Sequence, residues 1–263
     1  MDDFHKWREN YVKNVVPLMI WHVWSLAHRK ENPIEPWQAL DQYVDIYRKT
    51  VYCKKSLNPN EVKDLNDPKW NELKRRIISV LENYPQESET QKIEAHCMEF
   101  LWPLLKAKIE YDCCLSVEGA KSPYGCWKYD IINECVVLHF ENAVRPQSPF
   151  DDIQTLARDL SRLLEEAKAS NPQLTQVRCG TWLNNLPAFQ SLFPHSWPST
   201  KAGGATGLGC GLGTWGQYID RRGAFHEKNA RKFRANGRHP YFSFCCHCGY
   251  AEELDHLEGM LVR

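Results

Sequence analysis

Apolar residues recur every three to four positions through roughly the first 115 residues, the signature of amphipathic helices. Phe4, Trp7, Tyr11, Val15 and Leu18 share one face, and Pro17 is expected to kink or interrupt that helix. Trp37, Leu40, Val44 and Tyr47 mark a second helix beginning near Pro36. A third has a clear start. Asp67 can cap, and Pro68 fits the first helical position, where its missing N–H costs nothing. Trp70, Leu73, Ile77 and Leu81 follow in period. A fourth runs from about Ser88 to Ile109, with Pro103 as a bend.

The period then shortens to two. Residues 124–131 and 134–140 read as a β-hairpin turning at Ile132-Asn133, with Val136, Leu138 and Phe140 on one face and Val137, His139 and Glu141 on the other. Ser148-Pro149-Phe150-Asp151 resembles a capping box and predicts a helix through Ala167. Strands are predicted at 176–182 and 214–220, and helices at 183–192, 223–236 (stopping at Gly237) and 250–261. Helices first, then β-β-α-β-α-β-α, argue for an α+β fold. The expected organisation is a helical domain over 1–118 and an α+β domain with a mixed sheet over 119–263. Gly119, Ser122 and Pro123 mark the boundary between Ser116 and Ser122.

Composition adds exclusions. Lys+Arg and Asp+Glu number 33 each, so no global charge draws the chain to nucleic acid or to an anionic membrane. The start Met1-Asp2-Asp3 is acidic where a secretory signal would be basic. The longest apolar run, Val15–Leu26, contains Pro17 and His22 and falls short of the ~20 apolar residues of a membrane span. A soluble, cytoplasmic protein acting on a small molecule is the expectation. Eleven cysteines then read as free thiols rather than a disulfide framework. Cys135, in Glu134-Cys135-Val136-Val137, reads as a small core residue.

Several groups can carry chemistry. Cys245 and Cys248 have the C-x-x-C spacing of a zinc ligand pair, with His256 downstream and His226, His239 and Cys210 as further candidates; the alternative is packed thiols in a turn. The glycines of 202–213 can bring backbone N–H groups to a phosphate, or form a flexible lid. His139 beside Glu141 is a candidate general base, or a histidine on the solvated side of a sheet. Arg178 and Trp182 on one predicted strand, with Trp215 and Gln217 on another, can line a pocket; the alternative places the tryptophans in the core. Arg221, Arg222, Lys228, Arg231, Lys232, Arg234 and Arg238, with Tyr241, Phe242 and Phe244, offer a basic and aromatic surface for RNA, or the solvated face of a helix.

Residues 136–194 resemble the C-terminal half of a GNAT-like acyltransferase domain. They read strand, loop, capped helix, strand and short helix, and Thr181-Trp182-Leu183 with Leu186 and Leu192-Phe193-Pro194 is similar to the "SWL…L…LFP" pattern of GNAT-like domains that follow a helical domain. The resemblance implies a GNAT-like mixed sheet, acyl-CoA as donor, His139 with Glu141 as base and Arg145 as a phosphate contact. The loop that holds the coenzyme A pyrophosphate in that family here reads 142–148, with Arg145 but without the family's glycines. Two readings stand beside acyl transfer: a zinc-stabilised binding or scaffold protein, and an RNA-associated protein.

Overall fold

A computed structural model describes residues 3–53, 66–84, 89–116, 122–203 and 212–262. The chain combines an N-terminal helical region with a mixed sheet that follows it. It divides into two compact units. The helical unit comprises Met1–Gly119 and Gly207–Pro240, and the sheet unit Ala120–Thr206 and Tyr241–Arg263.

In the helical unit, α1 (Asp3–Ala27) is followed by α2 (Pro36–Gln42), α3 (Ile46–Lys49), α4 (Pro68–Asn83) and α5 (Thr90–Ser116). Asp67 caps α4 as expected, its side chain accepting from the Lys69 N–H at 2.8 Å. Pro17 lies inside α1 without ending it, and Pro103 lies within α5, the helix in which it is expected as a bend. An internal proline costs about 3 kcal/mol. Val15, Val16, Leu18, Met19 and Ile20 are all fully buried around it. Each such side chain contributes about 1.5–3 kcal/mol, so packing outweighs the proline.

Residues 214–220, expected as a strand, are instead α8 (Leu212–Trp215) and a 3₁₀ turn (Gly216–Tyr218). They are followed by α9 (Glu227–Asn236), which ends on Gly237 in the left-handed region at φ 66°. Trp215, Tyr218, Ala230 and Phe233 complete the core of the helices, so this segment packs with the helical unit rather than with the sheet. No helix among the described residues is long and apolar enough to cross a membrane.

In the sheet unit, β1 (Trp127–Ile132) and β2 (Cys135–Phe140) form the expected hairpin, although the two turn residues are Asn133 and Glu134. Asn133 takes φ 56°, a conformation asparagine tolerates. The cap after β2 also shifts. Ser148 caps a 3₁₀ turn at Pro149–Asp151, and Asp152 caps α6 (Ile153–Ser170) by accepting from the Thr155 N–H at 2.9 Å. After β3 (Gln176–Thr181) come a 3₁₀ turn at Trp182–Asn185 and α7 (Pro187–Gln190). The strand β4 (Phe244–Gly249) precedes α10 (Tyr250–Leu261). The sheet order is β1-β2-β3-β4, with β2 and β3 parallel and the outer pairs antiparallel.

One sheet face is the core of this unit. Trp127, Val136, Leu138, Val177, Cys179, Cys246 and Cys248 are buried there with Leu160, Leu164 and Leu257 of α6 and α10. Alternation sends the intervening residues to the other face.

Candidate functional site on the second face of the sheet

The second face carries Lys128, Asp130 and Ile132 from β1, Cys135, Val137 and His139 from β2, Gln176, Arg178 and Gly180 from β3, and Cys245 and His247 from β4. All are half-buried or exposed. Register places Asp130, Val137, Arg178 and His247 in one row across the four strands. His139 lies opposite Lys128 and is therefore a diagonal neighbour of both Asp130 and Arg178.

His139 is held by Asp130, not by Glu141. Its Nε2 lies 2.9 Å from Asp130 Oδ2, and both side chains are about one-third exposed, at 35% and 37%. Glu141 accepts instead from Lys128 Nζ and Arg145 Nη2, each at 3.1 Å. Burial pushes the Glu141 carboxyl up, but these two cations outweigh it and leave the group below the ordinary carboxylate range. The expected His139–Glu141 pair is thus replaced. Arg145, the expected phosphate contact, has its guanidinium engaged by Glu141.

Arg178 is different. Among the described residues its guanidinium has no hydrogen-bond or ion-pair partner. It is half-buried and close enough to Cys135 and Cys245 to oppose the upward push that burial gives each thiol. At the turn end of this face, an open cavity of about 440 Å³ is lined by Ile132, Asn133, Glu134, Cys135, Thr175, Gln176 and Arg178. Cys135 is therefore not a core residue. The sequence carried a signal for this: with Val136, Leu138 and Phe140 on the buried face, Cys135 must turn the other way. Asp130 was missed because the adjacent Glu141 offered a nearer carboxylate in sequence. A diagonal contact depends on hairpin register, which pairing fixes only after the turn is placed.

The expected pocket wall is not assembled from the expected residues. Trp182 opens the 3₁₀ turn after β3 and stacks on Tyr241, ring centroids 5.6 Å apart. Trp215 and Gln217 are buried in the helical unit, because their segment is helical. Nor does the C-x-x-C pair converge. On an extended strand, residues three apart point to opposite faces. Cys245 lies half-buried on the second face, whereas Cys248 is buried in the core with its thiol donating to Glu253 Oε2 at 3.3 Å. His256 sits on α10, its Nε2 3.1 Å from the Ser191 carbonyl oxygen. Among the described residues, no group of three or more histidine, cysteine or acidic side chains is placed to hold a metal ion.

Residues 204–211, including Cys210 and most of the glycine-rich loop, lie outside the described residues. Of the basic stretch, Arg234 is engaged by Glu94, and the basic residues belong to the helical unit while Tyr241, Phe242 and Phe244 belong to the sheet unit. No protein-family model matches this chain, and no curated protein or solved structure matches it either.

Proposed function

We propose that this protein is an enzyme of small-molecule metabolism that works on the second face of its sheet, with acyl transfer as the reaction and His139 as general base. The observation that carries the reading is the 2.9 Å contact between His139 Nε2 and Asp130 Oδ2 on a half-exposed surface. With Nε2–H donating to the carboxylate, the tautomer is fixed and Nδ1 is left as the proton acceptor. Asp130 also stabilises the imidazolium that forms when the base takes a proton. In the reaction, the acceptor's N–H or O–H proton passes to His139 as its heteroatom bonds to the acyl carbon. The carbon–sulfur bond of an acyl thioester then breaks, and the leaving thiolate takes up a proton.

The test is a panel of acyl-CoA and shorter acyl thioesters incubated with small amines and alcohols, with acylated product read by mass spectrometry. Wild-type protein should form product. His139→Ala should lose about 10²–10⁴-fold in rate, the usual contribution of a general base. Asp130→Asn should lose activity, because the imidazolium that forms on proton transfer loses its counter-charge. Product formation that His139→Ala leaves unchanged, or no product from any thioester, would rule out the reading.

A further inference from the structure

We infer that the cavity at the turn end of the sheet binds a small carboxylic acid, with Arg178 as its anchor. A half-buried guanidinium loses hydration, and a counter-charge normally offsets that loss. The neighbouring Lys128 on this face has one in Glu141, which also pairs with Arg145 of the loop after β2. Arg178 has none among the described residues. Its neighbours in the row are Val137 and His247, and neither carries negative charge. Of the acidic residues near it, Asp130 is taken by His139 and Glu134 approaches the Thr175 hydroxyl at 3.4 Å. A cation without a partner among the described residues, facing an open cavity, is an anion site.

The lining selects the kind of anion. A single guanidinium matches one planar carboxylate through two parallel N–H···O bonds. A phosphate dianion needs more positive charge than one arginine supplies, and Glu134 on the same rim repels it. Asn133, Thr175 and Gln176 offer amide and hydroxyl groups to the rest of the ligand, so the acid should carry its own hydroxyl or amino group. A volume of about 440 Å³ suits a metabolite rather than a long chain. Arg178 is the diagonal neighbour of His139, so an acid bound there presents its other polar group toward the base. The inference rests on the proposed function for that last step alone; binding is tested without turnover.

The experiment follows the Arg178 side-chain Nε–Hε signal by NMR, assigned from its absence in Arg178→Gln, together with the melting temperature of the whole chain. Glycolate, lactate and β-alanine are titrated, with inorganic phosphate and chloride as comparators at equal ionic strength. The carboxylates should shift the signal saturably and raise the melting temperature. Arg178→Gln should keep or raise the melting temperature of the free protein, since it removes an unpaired half-buried charge. It should weaken carboxylate binding about 10- to 100-fold, and Arg178→Lys should fall between. Equal stabilisation of wild type and Arg178→Gln, a response to chloride equal to that of the carboxylates, or tighter binding of phosphate would overturn the inference. Carboxylate binding with no acyl transfer would leave it standing and remove the proposed reaction. Acyl transfer that Arg178→Gln leaves intact, with no carboxylate bound, would do the reverse.

Discussion

Glu253 offers the most demanding test of the sheet unit's interior. It is fully buried on α10, its Oε2 accepts from the Cys248 thiol, and its Oε1 has no partner among the described residues. Burial pushes its pKa up to about 8 from an ordinary 4.5. A carboxyl raised on folding contributes stability that is fully present below pH 4.5 and is lost as pH rises toward 8. One pH unit in that window is worth about 1.4 kcal/mol, so by pH 7 the loss is about 3 kcal/mol.

Glu253→Gln keeps the shape and the acceptor for Cys248 but abolishes the titration. It also leaves an amide N–H₂ where Oε1 had no partner, at a cost of about 1–3 kcal/mol. The variant should therefore be less stable than wild type near pH 4.5 and more stable near pH 8, with a crossing between about pH 5 and 7. Urea unfolding of both proteins at half-unit pH steps measures the difference directly, and titrations elsewhere cancel in it. A wild-type minus variant difference that stays flat from pH 5 to 8 would show that Glu253 is ionised at little cost, and the reasoning would fail.

Two further predictions concern the cores of the two units. In the helical unit, His22 and His239 lie with ring centroids 5.8 Å apart, His22 Nδ1 has no partner among the described residues, and Tyr218 Oη meets His239 Nδ1 at 2.8 Å. Burial, with lesser repulsion from His239 and Arg29, lowers His22 to about 3, and burial lowers His239 to about 4. Stability from a depressed histidine is complete above pH 6.5 and lost as pH falls below it, so the pair should cost about 4 kcal/mol between pH 6.5 and 5. Urea melts of His22→Gln and wild type should converge as pH falls; parallel pH slopes would refute this. In the sheet unit, buried Asn184 donates to the Cys179 and Phe244 carbonyls at 3.0 and 2.8 Å and accepts from Trp197 Nε1 at 3.0 Å. Asn184→Ala strands all three partners and should cost about 3 kcal/mol or more by urea unfolding; a loss under about 1 kcal/mol would show that the three groups find other partners.

Local patterns and caps were legible where one element decides its own conformation. Asp67-Pro68 starts α4, Gly237 ends α9, and the alternation of Val136, Leu138 and Phe140 fixes which side of β2 is buried. The failures share a cause, which is that tertiary context decided the outcome. Thr214 to Asp220 has aromatic and β-branched content that suits a strand, yet Trp215 and Tyr218 bury against helices and the segment turns helical.

The C-x-x-C spacing suggests either a zinc pair or packed thiols in a turn for Cys245-Cys246-His247-Cys248, whereas the segment is the strand β4. Its period of two was present all along. Cys246 and Cys248 are small enough to pack opposite Cys179 and Val177, and Cys245 and His247 alternate outward. The same alternation brings the candidate site together. Arg178 and His139 were legible as outward residues of their strands, but Asp130 as the partner of His139, and the lack of a partner for Arg178 among the described residues, follow only from register. A C-x-x-C segment with apolar or small residues at alternate positions should therefore be tested as a strand before it is assigned a metal. Here that one choice determines whether Cys245 is a ligand or a neighbour of Arg178.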